Sequence, residues 1–379
     1  MKYIIDNAKG IPAYLQLYRQ VREDIIKGVY SFNDKLPSKR TIAGEAGVST
    51  VTVEHAYALL CDEGYAQSKE RSGYFVIFRV DDGFAGCETS ERSFNRTLSR
   101  KESDAKIEFP ISVLTKTMRR VIADLDTTVL SRSPNSGCLE LREEISRYLA
   151  RSRGIEADAE QIIIGSGSEY LYGLIVELFG RRKKYAIEWP SYKKIEQVYR
   201  ACDVAYEPLA LGTDGIESSV LWASDANILH VSPYRSFPSG VSASASKRHE
   251  YLLWAEKNSR YIVEDDFESE FSVSKKPEET LFSNAKKDNV IYMNTFSKTI
   301  SPGLRVGYMV LPKSLVSDFE QKLGFYSCTV PTYIQFVLAE LISNGDFERH
   351  INRVRRHKRK EINVLKERQN QQKETDIKG

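Results

Sequence analysis

Lys298 lies in the run Asn294-Thr295-Phe296-Ser297-Lys298, and Arg305 follows seven residues later. A primary amine flanked by hydroxyls, with a guanidinium close by in sequence, suits an aldehyde that also carries a phosphate. The amine condenses with the carbonyl to a Schiff base, and the hydroxyls of Thr295 and Ser297 and the guanidinium hold the phosphate. Three groups upstream fit the same ligand. Gly165-Ser166-Gly167-Ser168 joins a predicted strand to a predicted helix, where backbone N–H groups and the helix N-terminus receive an anion. Tyr192, after Glu188-Trp189-Pro190-Ser191, can stack on a flat ring. Asp265, after Tyr261-Ile262-Val263-Glu264, can pair with a protonated pyridine nitrogen. Singly, each has a plain alternative: an ordinary strand–helix turn, a packing tyrosine, one acid among three, a solvated lysine. The order phosphate turn, aromatic, acid, lysine, arginine is far more specific than its parts.

Alternating helices and apolar strands must position these groups. Helices are expected over Leu139–Ser152, Ser168–Phe179 and Ser246–Asn258. Strands are expected over Gln161–Ile164, Tyr185–Glu188, Ile228–Val231, Tyr261–Glu264, Val290–Asn294 and Gly307–Leu311. Such alternation implies an α/β fold with a mostly parallel sheet, whose ligands sit beyond the carboxyl ends of the strands. Most of the residues above fall at or just after such an end.

The first eighty residues read differently. Ala13 to Lys27 carries apolar residues at helical spacing and is ended by Gly28. Ser38 is a good N-cap for a helix through Ala46, and Gly47 makes a tight turn. Ser49 caps a second helix from about Thr50 to Glu63, with Ile42, Val48, Val53, Ala56 and Leu60 facing inward. Short strands are expected at Tyr65–Ser68 and Tyr74–Ile77, joined by a tip carrying Lys69, Arg71 and Gly73. A helix–turn–helix followed by a basic hairpin is a winged helix. Its recognition helix would enter the major groove with Ser49, Thr50, Thr52 and His55. Ser38, Lys39, Arg40, Lys69 and Arg71 would lie along the phosphates, supplying affinity and salt dependence.

Composition narrows the classes. The chain has 379 residues, 41% of them apolar, enough for two or three domains with sizeable cores. No run of about 18 apolar residues suggests a membrane span, and Met1 to Asp6 does not read as a signal peptide. Five scattered cysteines without a C-x-x-C pair fit a reducing cytoplasm and argue against a structural zinc site; no metal is expected. The net charge is only +3, but residues 349–379 hold 11 Lys/Arg against 4 Asp/Glu. The expected domains are a winged helix over 1–80, a polar linker over 81–107, the α/β domain over 108–360, and a charged tail over 361–379 that frays.

The order Leu36-Pro37-Ser38-Lys39-Arg40, Gly47-Val48-Ser49, Thr52-Val53, Glu63-Gly64, Ser72-Gly73-Tyr74-Phe75-Val76 resembles the GntR family of bacterial regulators. The larger region resembles the fold-type I aminotransferases, which bind pyridoxal 5′-phosphate. The two together look like the MocR subfamily. By that resemblance Lys298 forms the Schiff base, Asp265 pairs with the pyridine nitrogen and Tyr192 stacks on the ring. Ser166, Gly167, Ser168, Thr295, Ser297 and Arg305 surround the phosphate. The resemblance also implies a homodimer, paired DNA half-sites in an operator, and an amine or amino-acid effector that exchanges with Lys298. Three departures stand out. Phe267 replaces a tyrosine that would donate to the ring oxygen, at a cost of about 0.5–1.5 kcal/mol. Arg235 stands where a His or Asn normally approaches the ring, either to donate or to fill the pocket. The small C-terminal subdomain, with its arginine for the substrate carboxylate, is expected to be largely missing, with Lys194 as a substitute anion contact. The leading expectation is a DNA-binding regulator with weak or absent transaminase activity. An active aminotransferase and a decayed regulator without cofactor are the alternatives.

Overall fold

In the computed structural model the chain divides into two compact units, Met1–Lys101 and Glu102–Gly379. The structure describes residues 3–6, 11–70, 72–79, 108–257, 259–266, 269–272 and 279–378. The linker expected over 81–107, and the readings placed on Arg71 and Phe267, lie outside the described residues.

In the first unit, helices α1 (Ala13–Ile26), α2 (Lys39–Ala46) and α3 (Thr50–Asp62) precede strands β1 (Ala66–Lys69) and β2 (Gly73–Val76). Each of α2 and α3 starts where a serine satisfies an orphan donor: Ser38 Oγ accepts from Thr41 N at 3.2 Å, and Ser49 Oγ from Thr52 N at 3.1 Å. Gly47 ends α2 at φ 66°, a conformation that costs glycine little. The helices bury Leu17, Val21 and Ile25 against Ile42, Val53, Ala56 and Leu60. Val48, expected inside, is half-buried and packs against the same cluster. Tyr57 joins them: it is fully buried, and its hydroxyl donates to Pro37 O at 2.9 Å. β1 and β2 pair antiparallel, and the segment before α2 adds a third partner through Leu36 N to Tyr74 O and Val76 N to Asp34 O, both 2.9 Å. The fold is therefore a winged helix-turn-helix.

The second unit begins with α4 (Ile111–Leu125) and α5 (Leu139–Arg153). Then come β3 (Ile162–Gly165), α6 (Ser168–Phe179), β4 (Tyr185–Trp189), α7 (Lys193–Ala201), β5 (Tyr206–Ala210), α8 (Ser218–Ala223), β6 (Ile228–Val231) and α9 (Ala245–Lys257). β7 (Tyr261–Asp265), α10 (Leu281–Asn284), β8 (Val290–Thr295), β9 (Gly307–Val310), α11 (Lys313–Leu323), α12 (Thr332–Ser343) and α13 (Asp346–Lys378) complete it. The strands form one seven-stranded sheet in the order β3-β9-β8-β7-β6-β4-β5. All neighbours are parallel except those of β9, which is antiparallel to both β3 and β8.

Strand alternation sorts the sheet's side chains between two cores. Ile163, Val263, Ile291 and Met309 pack with α6, α7 and α11. Ile162, Ile164, Tyr292 and Val310 pack with α5 and α12 on the other face, beside a cluster in which Leu229 and Ile262 meet α9. α13 keeps helical backbone to Lys378, where fraying was expected beyond residue 360. No glycine or proline interrupts it, and Lys, Arg, Glu and Gln are good helix formers.

Replacing Ser49 by Ala leaves the first N–H groups of α3 without their cap. The expected loss is about 1 kcal/mol of stability in the first unit, measured by urea unfolding followed through that unit's signals.

Candidate functional site

The carboxyl ends of β7 and β8 open into a cleft of about 970 Å³, its open mouth included. Seven of the sequence-derived residues line it: Ser168, Tyr192, Asp265, Thr295, Ser297, Lys298 and Arg305. Ser166 and Gly167 do not line it directly. Gly167 lies beside it at φ 96°, a conformation that favours glycine, and a Cβ added there would stand a tight 3.1 Å from the Arg305 guanidinium.

Lys298 and Arg305 sit on the single connection between β8 and β9. Phe296 and Ile300 anchor that connection in the core, and Phe296 N donates to Val306 O at 2.9 Å. Lys298 itself is exposed at the mouth. Arg305 adopts φ 51°, an unusual left-handed conformation for a residue other than glycine, just before β9 begins.

Asp265 forms the buried floor. Its Oδ2 accepts a hydrogen bond from the Tyr172 hydroxyl and lies 3.6 Å from His230 Nε2, while Tyr199 OH contacts His230 Nδ1 at 2.6 Å. Three side chains from α6, β6 and α7 therefore back one carboxylate. None was identified from sequence. The alternation of β6 and β7 could have suggested His230, which falls on the same face as Asp265; Tyr172 follows Ser168 by one helical turn. Burial, and then the negative charge of Asp265, push the Tyr172 hydroxyl well above its ordinary pKa, so it remains a donor.

Asp266 and Glu270 also line the cleft. Asp266 receives Arg153 Nη2 at 2.9 Å and Tyr292 OH at 2.6 Å, and Glu270 accepts from Asn294 Nδ2 at 2.5 Å. Burial, with the nearby Asp266 charge, lifts Glu270 to about 7.

The opposite end of the cleft is cationic, yet it holds an anion of its own. Arg305 Nη2 donates to Glu169 Oε2 at 2.6 Å, and Lys194 donates to the other oxygen of the same carboxylate. Burial raises the Glu169 pKa, but the hydrogen bonds from Lys194 and Arg305 outweigh it and hold the group at about 2. Lys194, expected as a spare anion contact, is thus engaged by Glu169 at this cationic end. Tyr192 meets Phe237 edge-on, ring centroids 6.1 Å apart. Arg235, read as a residue approaching the ring, is exposed and does not line the cleft. The buried Ser236, which donates to Glu188 Oε2 at 2.7 Å, sets the turn, and Phe237 lines the cleft instead.

In the first unit the candidate DNA contacts divide into two groups. Ser38 and Ser49 spend their hydroxyls on caps and on Thr41 and Thr52. Thr50, Arg40 and Lys69 are exposed. Lys39 pairs with Glu54 at 3.1 Å, and His55 is exposed with its ring edge-on to Tyr14 at 5.9 Å. Gly73 opens β2 at φ 105°. Among the described residues no helix is long and apolar enough to cross a membrane, and no group of three His, Cys, Asp or Glu side chains could hold a metal ion.

Comparison with known proteins covers both units. Residues 13–76 match the model of bacterial regulatory proteins of the gntR family, and residues 102–373 that of aminotransferase class I and II. The HTH-type transcriptional regulator YdeL of Bacillus subtilis is 32% identical over 96% of this chain and 80% of its own. The probable rhizopine catabolism regulatory protein MocR of Rhizobium meliloti is 26% identical, over 93% and 76% of the two chains. The pyridoxine biosynthesis regulator PdxR of Corynebacterium glutamicum is 27% identical, over 90% and 75%. An archaeal alanine:glyoxylate aminotransferase superposes with a TM-score of 0.59 at 22% identity, over 64% of this chain and 62% of that one. The α-aminoadipate aminotransferase LysN of Thermus thermophilus does so at 0.57 and 26%, over 65% and 64%. The match spans somewhat under two thirds of each of these enzymes' length.

Glu188 supplies a test of the buried acids around the cleft. Burial lifts it from 4.5 to about 7, against hydrogen bonds from Ser236 and the Ser232 backbone. Between those pH values the folded chain holds a proton that the unfolded chain has released. Stability therefore falls as pH rises through that window and levels off above it. Glu188→Gln should flatten the decline by on the order of 2–3 kcal/mol, read from melting curves taken across the same pH range.

Proposed function

From a chain that belongs to the MocR-like branch of the GntR regulators, HTH-type transcription regulators with a class I and II aminotransferase domain, we propose a DNA-binding regulator whose second unit takes pyridoxal 5′-phosphate on Lys298. The reading is carried by one observation: Asp265, at the end of β7, lines the same cleft as Lys298 and Arg305, which the β8–β9 connection brings to it. The domain boundaries follow the same reading: DNA binding within 1–80 and cofactor binding within 108–360.

In this reading each group has one task. The Lys298 amine takes the covalent position at the mouth. Asp265, held by Tyr172 and neighboured by His230, presents its carboxylate from the floor to a ring nitrogen. Tyr192 covers the ring. Ser168, Thr295, Ser297 and Arg305 hold the phosphate, with Ser166 and Gly167 shaping their loop. Pyridoxal phosphate, when bound, supplies an electrophilic carbonyl and an electron sink. An amine or amino acid is then the natural effector class, because such a ligand and Lys298 are both primary amines that react with the same carbonyl.

DNA binding uses the exposed N-terminal end of α3 and the cations around it. The working form is a homodimer presenting two winged helices to paired half-sites, in the cytoplasm. An effector acts by favouring one domain arrangement over another. Transaminase turnover is weak or absent.

Two experiments test the two halves. After incubation with pyridoxal phosphate and borohydride reduction, the cofactor's mass should appear on the peptide containing Lys298. Lys298→Ala should lose it, and an unlabelled wild-type chain would sink the cofactor reading. Arg40→Ala should weaken binding to the region upstream of the protein's own gene and lower the salt slope by about 1. Unchanged affinity and slope would remove Arg40 from the interface.

A further inference from the structure

The phosphate end of the cleft contains every element of an anion site, and a carboxylate of this chain occupies it. Glu169 lies in the first turn of α6, whose N-terminus favours negative charge. It takes the guanidinium of Arg305 on one oxygen and the ammonium of Lys194 on the other, and it bonds its own backbone N–H. The Gly167 turn that brings the guanidinium close abuts this same pair. Arg305 therefore cannot give its full charge to a phosphate until Glu169 lets go.

We propose that Glu169 is an internal competitor for the phosphate subsite, a built-in anion that sets how tightly phosphorylated ligands are held. The inference rests on the reading that the cleft takes a phosphorylated ligand. Its chemistry is simple exchange: the incoming dianion takes Arg305 and the helix N-terminus, and the carboxylate turns outward with or without Lys194. Because Glu169 stays ionised far below neutral pH, protonation does not clear the site at physiological pH. Only an anion with more charge and more acceptor oxygens than a carboxylate gains from the exchange. Phosphorylated ligands are thus selected over carboxylated ones, and affinity is lower than the cations alone would give. A ligand without a phosphate never meets the competitor.

The test uses the full chain and a probe that needs no covalent chemistry. Calorimetric titration with inorganic phosphate compares wild type with Glu169→Gln and Glu169→Ala. Each paired cation at such a half-exposed position contributes modestly, so removing the competing charge should tighten phosphate roughly five- to tenfold. Pyridoxal phosphate should gain by a similar factor, and pyridoxal, which lacks the phosphate, should be unaffected. Equal or weaker phosphate binding in both folded variants overturns the proposal and makes Glu169 a support that orients Arg305. If both variants tighten phosphate while borohydride fixes nothing to Lys298, the competitor stands and the cofactor reading falls.

Discussion

Three consecutive carboxylates, Glu264, Asp265 and Asp266, are buried at the end of the central strand, and the second unit is arranged around making that possible. A buried charge without partners costs several kcal/mol. Strand alternation sends Asp265 to one face and its neighbours to the other, so each must be satisfied separately. Glu264 takes the Tyr234 hydroxyl and the first N–H groups of α10, Leu281 N at 2.8 Å and Phe282 N at 2.9 Å. Asp266 takes Arg153 from the last turn of α5, whose guanidinium also lies 4.4 Å from the Tyr234 ring centre. Asp265 takes Tyr172 and has His230 at its side. Of the three, Asp265 and Asp266 reach the cleft; each takes a phenol, and they differ in the second partner, an imidazole for Asp265 and a guanidinium for Asp266. The short α10 and the end of α5, remote in sequence, are thereby tied to the site.

The fold was largely legible because its signals are local. Serine caps, turn glycines and apolar runs placed α2, α3, α6 and the strands β3, β4, β6, β7 and β8 within a residue or so of their observed ends. β5 was missed because Pro208 sits within it. As the edge strand it leaves one side without ladder bonds, which is where a sheet tolerates proline. The reversal of β9 was also invisible, since sequence periodicity does not record the direction of a neighbour. α7 and α12 went unread beside stronger features.

The cleft was legible in the same uneven way. Lys298, Arg305 and Asp265 announce themselves by residue type and order. Their partners do not: His230 matters because β6 lies beside β7, Tyr172 because α6 crosses under the strand ends, and Lys194 because α7 starts opposite α6. These are adjacencies of the folded sheet, and each involves side chains far apart in the chain. Arg235 shows the converse limit. Its position in a motif pointed to the ring, but the buried Ser236 and its bond to Glu188 set the turn so that Phe237 lines the cleft.

The connection from β8 to β9 joins two strands that are hydrogen-bonded to each other, Thr295 opposite Gly307. It works as a closed staple: its feet are fixed in the sheet, and Phe296 and Ile300 plug its interior. Lys298 and Arg305, the two residues suited to grip opposite ends of one ligand, ride on this staple. Their spacing is therefore set within one short connection whose two ends are paired strands. β9 pairs in turn with β3, which leads into the turn that begins α6. One continuous ladder thus runs from the loop that carries Lys298 and Arg305 to the strand that feeds α6.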